Sequence, residues 1–251
     1  MTGLFPILIF LSGILSGFLN TVAGGGSLLV LPLLVFSGLD MGIANATNRV
    51  AILLQSVTAS RSFIRQGTLD VREILPTALP AVIGSLAGTF VAIQLDERLL
   101  RVAIALMISV MAGLLVFRPA MWEEKRAVRL PGWLSFLIFF LIGIYGGFIQ
   151  AGVGFFLIWA LAGIGGRDLV EANGAKVFIV GCFTAVSLAL FASNGMVRFG
   201  TGLILACGSM IGAHAGARFT MAKGNRVIRF VLAVTVMVSA AKMLWDAFGG
   251  A

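Results

Sequence analysis

Charge is what this chain has least of. Asp, Glu, Lys and Arg together make up 11% of its 251 residues, less than half the ~25% of an ordinary soluble domain. That balance excludes a soluble globular fold. Histidine occurs once, as His214, and cysteine twice, as Cys182 and Cys207. The HExxH, GxSxG and P-loop patterns are absent, as is any His/Cys/Asp cluster with metal-ligand spacing. Hydrolytic, metal and nucleotide chemistries lose their sequence support, so no enzyme activity, cofactor or metal is expected. The cysteines lie in apolar runs without CxxC spacing and read as small buried hydrophobes rather than a redox pair. His214 reads as a packed, satisfied side chain. All ten acidic residues fall at segment ends or in loops. No carboxylate is left mid-span for a proton relay.

What the chain does have is apolar length. Hydrophobic residues make up 59%, and residues 4–39, 74–95, 102–117 and 130–166 carry no charge. A span needs roughly 20 apolar residues to cross a ~30 Å hydrocarbon core. There is room for about eight to ten membrane segments, by that measure, and none for a soluble domain. The first twenty residues lack a basic n-region and a clear cleavage site, so residues 4–20 read as a retained first segment. The net charge of +8 sits in short loops. It is the mark of positive-inside topology, not of a nucleic-acid partner.

The second half repeats the first at an offset of 128 positions. Ala23-Gly24-x-Gly26 returns as Ala151-Gly152-x-Gly154, Gly38-x-Asp40 as Gly166-x-Asp168, and Ala44-Asn45 as Ala172-Asn173. Gly67 returns as Gly195, Gly84 and Gly88 as Gly212 and Gly216, and Arg98-x-x-Arg101 as Arg226-x-x-Arg229. The division expected is a first membrane repeat over 1–118, a basic linker over 119–131, and a second repeat over 132–251. Each repeat holds five stretches: 4–20, 27–38, 43–63, 74–95 and 98–118, then 132–150, 153–165, 171–192, 200–219 and 226–247. The second stretch of each is short and follows a glycine cluster. Such breaks are tolerated inside a membrane only where protein or a water-filled cavity satisfies the backbone. The fold expected is an all-α polytopic membrane protein of two pseudo-symmetric, inverted repeats with discontinuous helices near the midplane.

The inversion comes from charge. With an odd number of crossings per repeat, Arg61, Arg65, Arg72, Arg118, Lys125, Arg126, Arg129, Arg167, Arg218, Lys223, Arg226 and Arg229 share one side. Arg98, Arg101, Arg198 and Lys242 face the other. Four crossings per repeat would divide the basic residues almost evenly. The bias places the linker in the cytoplasm and both termini outside.

The stretch Asn20-Thr-Val-Ala-Gly-Gly-Gly-Ser27, followed by Ala44-Asn-Ala-Thr-Asn-Arg49, resembles the sulfite exporter TauE/SafE-like permeases. Gln150-Ala-Gly-Val-Gly154 and Glu171-Ala-Asn-Gly-Ala-Lys176 fit the same pattern in the second half. The resemblance runs over essentially the whole chain. It implies a multi-pass protein of the bacterial inner membrane that moves a small anion, such as sulfite, a sulfonate or sulfoacetate. Val153 stands where the first half has Gly25, and Phe155 where it has Ser27, so the two halves are not expected to contribute equally.

The residues themselves agree with an anion. A broken helix presents a positive dipole end and free N–H groups, and Gly24, Gly25, Gly26 and Ser27, with Gly152 and Gly154, let an oxyanion approach closely. Asn45, Thr47, Asn48 and Arg49 open one third stretch, and Asn173 and Lys176 the other. Positions 45, 48 and 49 share a helical face, as do 173 and 176. Arg49 and Lys176 are the candidate charges for the anion, while Asn20 and Gln150 are candidate hydrogen-bond donors. The plainer readings are that the glycines serve only packing, and that Arg49 and Lys176 snorkel or pair with Asp40 and Glu171. Gly84/Gly88 and Gly212/Gly216 have GxxxG spacing and are assigned to close helix packing. The partners expected are the anion and the bilayer, and a homo-oligomer is allowed. A small-anion channel and a non-transporting accessory protein are the rival functions.

Overall fold

The computed structural model describes residues 4–96, 98–99 and 131–248, with side chains as far as Lys223. Residues 100–130, which hold nearly all of the fifth stretch and the basic linker, lie outside the described residues. Among the described residues every regular element is a helix. The first half gives α1 (Leu4–Val22), α2 (Ser27–Phe36), α3 (Met41–Arg65) and α4 (Val71–Gln94). The second gives α5 (Gly132–Phe148), α6 (Val153–Ile158, drawn out into a π-helical turn over Trp159–Ile164), α7 (Leu169–Ser193) and α8 (Phe199–Phe248).

Among the described residues, four helices are long and apolar enough to cross a membrane: α1, α4, α7 and the Phe199–Lys223 part of α8. α2, α5 and α6 are apolar but shorter. Leu4, Ile7, Leu11 and Leu15 on α1, and Leu75, Leu79, Ile83 and Phe90 on α4, stand exposed at helical spacing. In water those stripes would be an aggregation liability; in a bilayer they are the lipid-facing surface. Local chemistry fixes the starts of the elements. The Asp168 carboxylate accepts from the Val170 and Glu171 N–H groups at 2.8 and 2.9 Å, and Asp70 accepts from Arg72 N at 2.8 Å, each an N-cap of the kind that contributes about 1 kcal/mol.

One expected break is missing. The sequence reading separates 200–219 from 226–247, whereas α8 runs through both. Between them Met221-Ala-Lys-Gly-Asn-Arg226 holds one glycine and no proline, too weak an interruption to end a helix of good formers.

The halves interlock rather than sit side by side. α1 packs along α8 and α4 along α5, while α3 and α7 fill the centre. Gly84 and Gly88 of α4 face the carbonyls of Phe140 and Ile144 on α5; Gly212 and Gly216 of α8 face those of Ile14 and Phe18 on α1. A Cβ at Gly84, Gly88 or Gly212 would overlap that facing backbone, so the GxxxG pairs do serve close packing. Phe63, near the end of α3, lies against Gly174, near the start of α7. Thr47, near the start of α3, accepts a hydrogen bond from Arg198 N, beyond the end of α7, at 3.1 Å. α3 and α7 therefore run antiparallel.

Three side chains differ from expectation. His214 is exposed on α8 rather than packed, 3.4 Å from the Ser62 hydroxyl through Nδ1. Cys207 is exposed on the same helix and Cys182 only partly buried, both as free thiols. In a membrane an apolar run has an outer face, and these positions fall on it.

Candidate substrate site

The site is built where two helices stop inside the protein. α1 ends at Val22 and α5 at Phe148, and a helix end leaves its last four carbonyls without intrahelical donors. Inside a membrane those groups need partners. At α5 every one has been found. Tyr145 O accepts from Ile149 N at 2.8 Å, Gly146 O from Arg49 Nη1 at 3.1 Å, and Gly147 O from Arg49 Nη2 at 2.7 Å. Thr89 also donates to Gly147 O, at 3.1 Å, and Asn45 Nδ2 donates to Phe148 O at 2.9 Å. At α1, Leu19 O accepts from Ala23 N and Gly24 N, and Lys176 Nζ donates to Asn20 O at 2.9 Å and Thr21 O at 2.8 Å. The third Lys176 bond goes to Asn173 Oδ1 at 2.6 Å.

The arrangement is crossed. Arg49, from the first half, closes the end of the second half's broken helix; Lys176, from the second half, closes the first's. Both are at most 1% exposed, so neither snorkels. Among the described residues neither pairs with a carboxylate, and the ion pair present is Arg167–Glu73, at 3.3 Å on the surface. Asp40 and Glu171 are therefore not their partners. The compensation is the negative end of each helix, equivalent to about half a charge, leaving a positive balance at the centre. Arg49 also lies over the Phe191 ring, 4.8 Å from its centroid.

After each stop the chain turns through a left-handed glycine, Gly24 at φ 97° and Gly152 at φ 77°, a conformation glycine alone adopts without strain. The two breaks are equally long, residues 23–26 and 149–152, but the left-handed glycine sits differently in each. Gly24 follows Val22 after one residue, whereas Gly152 follows Phe148 after three, and Ile149 there is extended. Because α5 stops earlier before its glycine, Gln150 lies in the irregular turn rather than in the helix. Its Oε1 accepts from Arg49 Nη1 at 3.2 Å and its Nε2 donates to the Thr184 hydroxyl. Not all the N–H groups expected to be free are free: those of Leu28, Leu29, Val153 and Phe155 bond to carbonyls of the adjacent turn.

A small cavity of about 20 Å³, the space open to the centre of a water-sized sphere, lies between the two breaks. Of the residues singled out from sequence, Asn20, Gly24, Ser27, Gln150, Gly154 and Lys176 line it. Others stand one layer behind. Asn48 Nδ2 donates to the Ser27 hydroxyl at 3.2 Å, Asn173 holds Lys176, and Arg49 holds Gln150. Asn45 and Gly152 shape the helix ends, and Gly26 abuts the Ser16 carbonyl, where no Cβ fits. Gly25 is buried in the same turn, its carbonyl accepting from Leu28 N. Thr47 is the outlier: it anchors Arg198 N and does not line the cavity.

Sequence reading missed Ile52, Gln55, Ser56, Val153, Val177 and Val180, which complete the wall. Four of them were within reach. Ile52 and Gln55 continue the face of Asn48 by helical steps, and Val177 and Val180 flank the face of Lys176.

This geometry, with two interrupted helices meeting around a cationic cavity, can now be set beside known proteins. The model of the family described as "Sulfite exporter TauE/SafE" matches residues 9–243. The chain belongs to the sulfite exporter TauE/SafE family. As a TauE/SafE member it is a multi-pass membrane transporter and not an enzyme. Similar relatives include a "Probable membrane transporter protein" of Haemophilus influenzae, 28% identical over 244 residues that cover 95% of this chain and 94% of the relative. The "Probable membrane transporter protein YfcA" of Escherichia coli K12 is 28% identical over 243 residues, covering 96% and 90%. The "Probable membrane transporter protein YjnA" of Bacillus subtilis is 26% identical over 268 residues, covering 94% and 98%. These bacterial relatives place such TauE/SafE chains in the inner membrane. No solved structure matches.

Proposed function

We propose that this chain carries a small, sulfur-containing oxyanion, such as sulfite, a sulfonate or sulfoacetate, through the cavity between its two broken helices. The observation that carries the reading is Lys176. A cation buried within the protein, on the wall of a cavity with no carboxylate in its lining, creates a positive potential that favours an anion. The N-terminus of α2, at Ser27, adds its positive dipole end to the same wall.

Alternating access fits better than a channel. About 20 Å³ of space accommodates a water, which needs ~10–15 Å³ on that measure, and not an oxyanion of several heavy atoms. The site must open for its substrate. The antiparallel course of α3 and α7 supports two inverted repeats, the architecture in which a central site is exposed to each side in turn. Because the halves interlock, the moving parts are the broken helices rather than the halves as blocks.

The test is uptake of labelled sulfite into proteoliposomes, competed with sulfoacetate, taurine, thiosulfate, sulfate and acetate. Saturable uptake blocked by a sulfur oxyanion supports the reading. Flux that rises linearly with concentration would favour a channel, and no flux of any anion through folded protein would reject anion transport.

A further inference from the structure

We infer that Gln55 is a substrate-binding residue that accepts a hydrogen bond, and that the transported species is a singly charged oxyanion bearing a hydroxyl proton of its own. The inference rests on the anion-carrier reading above.

The cavity wall is rich in donors. Lys176 is an ammonium, and the Ser27 hydroxyl accepts from Asn48 at 3.2 Å, leaving its own proton for another group. Gln150, the other glutamine on the wall, is held at both ends by Arg49 and Thr184. Gln55 differs. It lines the cavity, is 4% exposed, and its Oε1 is buried without a hydrogen-bond partner among the described residues. An unpaired buried carbonyl of this kind costs about 1–3 kcal/mol and is rare enough in folded proteins to need a reason. A ligand that arrives with a proton supplies one.

The chemistry then selects among anions. With the Gln55 amide in this orientation, an aprotic oxyanion would set its oxygens against the carbonyl, acceptor against acceptor. A singly protonated oxyanion, such as hydrogensulfite, offers O–H to Gln55 and its remaining oxygens to Ser27 and the positive side of the site. Such an ion also brings one negative charge to the one cation of the cavity wall. Because the proton travels on the substrate, transport follows pH without a titrating carboxylate in the cavity lining.

The experiment uses the full chain in proteoliposomes with labelled sulfite as probe, at several external pH values. Methanesulfonate, an anion of similar head group without a proton, serves as competitor. Gln55→Leu and, as a longer unbranched replacement, Gln55→Met are compared with wild type for transport and for melting in detergent. Expected is wild-type uptake that follows the singly protonated fraction of sulfite, with weak competition by methanesulfonate. Both variants should show KM raised about tenfold, the order of one hydrogen bond to a charged ligand, with melting unchanged or improved. Wild-type KM and pH profile in the folded variants would overturn the role of Gln55. Methanesulfonate competing as well as unlabelled sulfite would overturn the protonated-anion assignment. No sulfite or other anion flux in wild type would instead reject the carrier reading itself, and this inference with it.

Discussion

Gly24 and Gly154 lie back to back at the centre of the molecule: a Cβ on Gly24 would fall 2.6 Å from Gly154 Cα, and one on Gly154 would fall 2.5 Å from Gly24 Cα. The two breaks thus touch through bare backbone. Contact this close brings the end of one broken helix and the start of the other within reach of Lys176, whose Cδ is 3.2 Å from the same Gly154 position.

Substitution at that contact should be severe. In Gly24→Ala the new methyl group meets the Gly154 backbone in a chain already at φ 97°, and we expect little folded protein. Gly38→Ala is the control: φ is also 97°, but nothing lies within 4 Å. It should lose only the left-handed penalty of about 1 kcal/mol. Folded yield and melting temperature of the two variants separate collision from strain; equal losses would count against the close contact.

Lys176 has two roles, and its removal should show both. Lys176→Met leaves Asn20 O, Thr21 O and Asn173 Oδ1 without their donor, each loss costing about 1–3 kcal/mol, partly offset by no longer burying a charge. We expect a lower melting temperature together with abolished anion uptake. Arg49→Lys keeps a charge but reaches fewer carbonyls. It should lower melting and raise KM for sulfite only a fewfold, because Arg49 reaches the cavity only through Gln150. Uptake abolished as in Lys176→Met, in folded protein, would instead place Arg49 at the substrate.

Asn48 acts through Ser27. In Asn48→Leu the Ser27 hydroxyl loses the donor that orients it, and KM should rise about fivefold, as for a hydrogen bond worth ~1 kcal/mol. Thr47→Val, beside it in sequence but bonded to Arg198 N, should change melting and not KM. Kinetics on the pair distinguish a residue behind the cavity from one outside it.

The surface pair Arg167–Glu73 should matter little to stability. Both side chains are solvent-accessible, 30% and 64% exposed, and exposed pairs contribute about 0–1 kcal/mol. Glu73→Gln should melt within a degree or two of wild type, on that estimate. A larger shift would mean that the pair bridges the halves more tightly than its exposure allows.

Topology can be read from two exposed positions at opposite ends of α3 and α7. Gln66 follows α3 beside Arg61, Arg65 and Arg72, and Asn194 follows α7 beside Arg198. With Cys182 and Cys207 replaced by alanine, a cysteine at 194 should react with an impermeant thiol reagent on intact cells. One at 66 should react only after permeabilisation. The reverse pattern would overturn the cytoplasmic assignment of the basic ends.

The sequence by itself determined the solvent, the class and the two glycine breaks, though not the continuity of α8. Long uncharged runs admit only membrane helices, and glycines such as Gly24 and Gly152 recur because each break requires a left-handed turn. It also marked Asn48, Asn173, Arg49 and Lys176 as unusual, since polar groups in apolar runs are costly wherever they end up. What Arg49 and Lys176 do depended on neighbours 97 and 156 residues away, and no local pattern encodes them. Only the tertiary structure decided that Arg49 and Lys176 close each other's broken helices, because a carbonyl's need for a donor is the same wherever in the chain that donor lies. Only it could reveal Gln55, whose significance is a missing partner.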